Sequence, residues 1–233
     1  MKLLRKGSLA LFIFTISFCD IYSQTVGGYG NAASIQDVID PSYQNTNAFY
    51  TKTYNDIEGT AFLFDEWSFG KVLTRGQQLI NDVKLKYNVF ADVLIYREDD
   101  KAREIPNKVI QGFTIILPEK EYEFFFYPKV KYVQKIIDGD NFQLYKKYKK
   151  SIQKGQAATG YNSGNTSDKF VDDILYYYSL NNSELSLFPK RNKERYSIFD
   201  EMIPQGSKKW FKSQKLKIGK EEDIRKAVNL LNL

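Results

Sequence analysis

Between residues 82 and 89 apolar and polar side chains alternate without a break. Val83, Leu85, Tyr87 and Val89 fall on one side, and Asp82, Lys84, Lys86 and Asn88 on the other. A period of two over this length predicts a strand with one buried and one wet face. Shorter apolar runs flank it. Residues 61–64 form one, and residues 69–74 form another, closed by the turn-compatible pair Arg75-Gly76. Phe90-Ala91-Asp92 turns the chain and residues 93–96 return, before a charged loop at 97–101. The meander continues through 109–117 (ended by Pro118), 122–127 (ended by Pro128), 130–137 and 142–150. Asp138-Gly139, between the last two runs, is a strong hairpin signal, because glycine accepts the positive φ of a tight turn. Residues 151–168 are rich in Gly, Ser, Asn and Thr and read as a loop. Residues 169–179 and 184–188 then predict a further hairpin around Asn181-Asn182.

After Pro189 the period lengthens. Tyr196, Phe199 and Ile203 are spaced for one helical face, and Pro204 stops that helix. Ser207 is placed to cap a second short helix carrying Trp210 and Phe211. Glu221-Glu222-Asp223 opens a third, where carboxylates suit the positive end of the helix dipole. Ile224, Ala227, Val228 and Leu231 give it an apolar stripe suited to pack on the sheet. The predicted fold is mainly β (α+β): an antiparallel β meander or roll, its degree of closure left open, over residues 58–189. Two or three short C-terminal helices follow over residues 190–233.

The N-terminus follows a different pattern. Lys2, Arg5 and Lys6 precede an apolar run at residues 9–18, too short to span a bilayer as a helix. A positive head, a short apolar middle and a polar exit make residues 1–24 a secretory signal peptide, cut after Ser23 or Gln24. Cys19 follows the bulky Phe18, which argues against lipidation. Residues 25–57 are polar, without a sustained apolar period, and read as a linker or arm. Export places the mature chain in the periplasm or at the outer cell surface. No later segment reads as a transmembrane helix. A tail ending in a charged amphipathic helix argues against an outer-membrane barrel.

Composition then narrows the chemistry. The chain has no histidine, and its single cysteine, Cys19, lies in the signal segment. Imidazole bases, His-based triads and structural zinc thereby drop out. The net charge is +6, from 34 basic and 28 acidic residues. The signal segment carries three of those basic and one of those acidic residues, so the remainder has a net charge of +4. The excess concentrates in residues 129–154 and 205–233, which read as solvated lysines or as faces for an acidic surface. Lys146, Lys147, Lys149 and Lys150 are the test positions for the second reading. No nucleic-acid-binding motif is present.

Each apparent motif has a plainer explanation. Residues 28–33 fit G-x-G-x-x-A, but no strand or βαβ unit surrounds them. Asp65 and Glu66 beside Trp67 suggest a glycosidase carboxylate with a sugar platform. Adjacent strand residues face opposite ways, so that pair reads as a turn, and Asp172-Asp173 fails on the same geometry. Asp138, Asp140 and Asn141 resemble part of a calcium loop without its later ligands. Asn165-Thr166-Ser167 and Asn181-Asn182-Ser183 fit the N-glycosylation sequon, and carry little weight beside a signal of bacterial style. The aromatic runs at 122–127 and 176–178 put rings on both faces of a sheet. Either one face is core and the other open to a sugar or protein, or both are covered. No catalytic, cofactor or metal residue is assigned.

Glu66-Trp67, Gly70, Val72, Gly76, the run Leu85-Lys86-Tyr87-Asn88 and then Asp92 and Leu94 form a W-x2-G-x-V … L-K-Y-N-x3-D-x-L pattern. Gly112-Phe113, Asp138-Gly139, Leu144-Tyr145-Lys146-Lys147 and Lys220-Glu221-Glu222-Asp223-Ile224 extend it. This pattern resembles a group of exported proteins of Gram-negative bacteria with no assigned activity. The resemblance implies export and a β-rich domain, and it brings no catalytic residue. The expectation is a non-enzymatic envelope binding or interaction protein with an envelope protein or glycan as partner, no nucleic acid and no cofactor. A carboxylate-dependent glycan hydrolase and a purely structural envelope subunit are the alternatives, and the oligomeric state is left open.

Overall fold

The alternating segment lies in β3 (Leu79–Asn88). Val83, Leu85, Tyr87 and Val89 are buried, and Asp82 and Lys84 are exposed. Asn88 departs from the pattern and is fully buried. Its Oδ1 accepts the Ala91 N–H at 2.8 Å and its Nδ2 donates to the Tyr54 hydroxyl at 3.4 Å. Such bonds are what a buried amide requires. The computed structural model describes Ile35, residues 54–155 and residues 167–231. The signal segment 1–24, the motif at 28–33, nearly all of the arm and residues 156–166 lie outside the described residues.

The other strands are β1 (Ile57–Glu58), β2 (Ser68–Thr74), β4 (Val93–Glu98), β5 (Lys101–Ile105), β6 (Ile110–Leu117), β7 (Lys120–Tyr127), β8 (Lys131–Asp138), β9 (Phe142–Gln153), β10 (Asp168–Leu180) and β11 (Ser186–Leu187). They form a mostly antiparallel sheet in the order β1-β10-β9-β8-β7-β6-β2-β3-β4-β5, with β11 also on β10. Among the described strands only β1 pairs in parallel. The sheet is open, since the hydrogen-bonded path ends at β1 and β5. Three short helices follow: α1 (Asn192–Asp200), α2 (Ser207–Ser213) and α3 (Glu221–Leu231). No helix among the described residues is long and apolar enough to cross a membrane.

Several local expectations change, among them the first helix, which ends at Asp200 rather than at Pro204. Residues 61–64 are not a strand: Phe62 makes one isolated bridge to Asn88, and the Ala61 carbonyl caps the β3 end through Val89 and Phe90. The charged loop at 97–101 is a tight turn into β5, whose sequence Lys-Ala-Arg-Glu-Ile carries no apolar alternation. Charged side chains suit an edge strand, which needs only one paired side. β9 runs three residues further than the sequence suggested, to Gln153. Ser207 does not cap α2. The cap position is Gly206, and Asp200 accepts the Ser207 N–H at 2.9 Å while its carboxylate lies 2.7 Å from the Ser207 hydroxyl.

Glycine sets the sheet's closest approaches. A Cβ on Gly70 would lie 2.1 Å from the Thr114 carbonyl oxygen, and one on Gly112 would lie 2.6 Å from that of Phe124. Two hydrophobic clusters follow. The first gathers Tyr87, Leu94, Phe113, Phe124 and Tyr132 from β3 to β8. The second packs Ile224, Ala227 and Val228 of α3 with Phe199 and Phe211 against Ile137, Phe142 and Leu144. The apolar stripe of α3 therefore meets the sheet as its spacing predicted.

Side chains draw together parts of the sheet that hydrogen bonds leave apart. Phe90, at the β3–β4 turn, lies 5.4 Å from Phe170 of β10, and Tyr54 lies 5.7 Å and 5.4 Å from those two rings. Five strands separate β3 from β10 in the sheet order. The sheet must curl strongly for these rings to touch, as twisted sheets of this size do. The result is a roll with an open hydrogen-bond path and an aromatic seam.

Candidate ligand-binding surface

The seam also holds the most deeply buried ion pair among the described residues. Lys147 of β9 reaches Asp92 in the β3–β4 turn at 2.6 Å, with side-chain exposures of 7% and 18%. Asp92 also accepts the Tyr87 hydroxyl at 2.5 Å. Burial pushes the Lys147 ammonium below its usual range, and the Asp92 charge opposes that shift. Lys150 is similarly tied to Asp172 at 3.0 Å. Of the four lysines at 146, 147, 149 and 150, Lys147 crosses the seam, whereas Lys150 and Asp172 are direct partners on the adjacent strands β9 and β10, with Asp172 76% exposed.

The sequence's carboxylate candidates scatter. Asp65 and Glu66 are exposed in the bend before β2. Asp138 pairs with Lys135 at 3.0 Å beside a hairpin in which the Gly139 N–H meets the Phe142 carbonyl. Asp172 and Asp173 lie exposed on β10. Among the described residues no cluster of three or more His, Cys, Asp or Glu could hold a metal ion. Burial raises the Glu104 carboxyl, but Glu104 does not line the cavity described below.

The aromatic runs are covered rather than displayed. Phe124 is buried, while Tyr122, Phe125, Phe126, Tyr127 and Tyr176 to Tyr178 are half-buried. The exposed ring belongs to Phe69 of β2, 55% accessible. Strand register explains its company: Phe69 stands opposite Lys84, and Lys84 opposite Arg97, so the three form a row across β2, β3 and β4. The Lys84 ammonium lies 5.7 Å from the Phe69 ring centre. Beside the row, Lys86 lies 4.3 Å from Phe62 and 5.8 Å from Trp67, and Arg97 lies 5.9 Å from Trp67. Rings and cations alternate here, each cation near a π face.

A cavity of about 500 Å³ adjoins this row, lined by Phe69, Asp82, Lys84, Arg97 and the turn residues Asp99 and Asp100, among others. Asp99 and Asp100 both have positive φ, the left-handed pair that a tight β4–β5 turn uses. The Arg97 guanidinium meets Asp100 at 2.9 Å. Sequence reasoning gave Trp67 as a platform but missed Phe69 and Arg97. The usable signal was Phe69 between Ser68 and Gly70, two small residues that face the interior while the ring faces out. Chemically the surface offers an exposed ring, amine and guanidinium donors and carboxylate acceptors. Comparison with protein-family models, curated proteins and solved structures gave no match.

Proposed function

We propose that this chain is a non-enzymatic, exported binding module of the bacterial envelope, with the outer face of β2, β3 and β4 as its contact surface. The observation that carries the reading is the exposed Phe69 in register with Lys84 and Arg97 beside a cavity of about 500 Å³. Ligand sites occupy roughly 300–1,000 Å³ and combine apolar rings with a few oriented polar groups. The N-terminal pattern at 1–24 and the resemblance to exported Gram-negative proteins support the location. The test is affinity capture by the tagged full chain from cross-linked, fractionated bacterial envelopes, run beside a turnover assay on a broad glycan panel. Stoichiometric recovery of one partner or glycan, with no turnover, is the expected result. Turnover abolished by a single Asp or Glu substitution would make the chain a hydrolase instead.

A further inference from the structure

Resting on the binding reading, we infer that the β2–β4 face takes a neutral carbohydrate chain, with one sugar ring stacked on Phe69. The cavity's lining selects the ligand class. Asp82, Asp99 and Asp100 supply acceptors, and Lys84 and Arg97 supply donors. A sugar hydroxyl both donates and accepts, so it uses both kinds of group. An anionic ligand would meet Glu98 and the three aspartates at close range, and a cationic one would meet Lys84 and Arg97. Like charges brought together in a partly desolvated site are costly. A protein partner fits less well. Protein contacts centre on an apolar core depleted in charge, whereas six ionised side chains line this cavity beside Phe69, Ile35, Ile80 and Val83. The apolar C–H face of a pyranose matches an exposed phenyl ring, and Lys84 and Arg97 stand in the same row to meet its hydroxyls.

Affinity electrophoresis of the purified protein tests this, in native gels containing either neutral polysaccharides (β-glucan, α-glucan, mannan, xylan) or anionic ones (polygalacturonate, alginate). At least one neutral polymer should retard the wild type. Phe69→Ala should weaken that retardation about tenfold or more, the scale for an exposed aromatic anchor. Phe69→Trp should retain it, and Asp99→Asn with Asp100→Asn should weaken it through lost acceptors. Leu187→Ala, on the distant β11, should leave it unchanged. Circular dichroism confirms the fold of each variant. Retardation by anionic polymers alone, retardation untouched by Phe69→Ala and by the aspartate variant, or no retardation overturns the carbohydrate assignment. Envelope capture of a protein partner in that event leaves the binding-module reading standing, and failure of both experiments removes it.

Discussion

At the scale of single residues, Lys147 is the position where chemistry and architecture meet. Its side chain is 7% exposed and its ammonium sits 2.6 Å from Asp92, which also holds the Tyr87 hydroxyl. Removing one member of a buried pair leaves the other charge uncompensated, a loss of about 3–5 kcal/mol. Lys147→Ala should therefore lower the urea midpoint sharply. Lys147→Met combined with Asp92→Leu should cost far less than the two single changes together. Additive losses would mean that the pair does not couple the β3–β4 turn to β9. Sequence gave no warning of this pair, since Lys147 stands in a run of lysines that composition alone reads as solvated. What buries it is the curl of the sheet, a long-range property absent from local spacing.

Among the elements, the strands with a clean period of two were legible. β2, β3, β4, β6, β7, β8, β9 and β10 all fall on the apolar runs, proline stops and turns read from the sequence, with β3 beginning three residues earlier and β9 ending three residues later. β5 was missed because an edge strand needs no apolar face, and its Lys, Arg and Glu hide the period. The short β1 was missed because two residues carry no period, and it stands on its register with Asp168 and Lys169. Gly70 shows how a motif position acquires a physical reason once the sheet is known. The hypothetical Cβ meets backbone of β6, which cannot move aside as a side chain could. Gly70→Ala should cost at least about 1–3 kcal/mol in chemical denaturation, the range for overpacking. A neutral substitution would show that β2 and β6 tolerate a wider spacing. The candidate surface was half legible: alternation put Lys84 on the wet face, but only strand pairing aligned it with Phe69 and Arg97.

For the whole molecule, the aromatic content fixes the response to alkali. Burial is the first cause raising the hydroxyls of Tyr87, Tyr96, Tyr132, Tyr145, Tyr148 and Tyr176 above the ordinary value. The folded chain then keeps protons that the unfolded chain releases near pH about 10. Their contribution to stability is complete below that pH and is lost as the pH rises above it. Lys147 acts in the opposite sense, because its lowered pKa penalises the folded state until it deprotonates, but it is one group against six. Phenolate absorbance and circular dichroism should therefore change together, late and cooperatively, in an alkaline titration. Gradual phenolate formation with the fold intact would contradict burial of these rings.

The outer face of β2, β3 and β4 is the proposed contact surface. Hydrogen–deuterium exchange of the full chain, alone and with the captured envelope ligand, tests that face directly. Added protection should concentrate in peptides covering β2, the β3 segment around Asp82 and Lys84, and the β4–β5 turn at Asp99 and Asp100. Protection at α1 to α3 or along β10 and β11, with the β2–β4 peptides unchanged, would place the binding surface elsewhere and contradict the account.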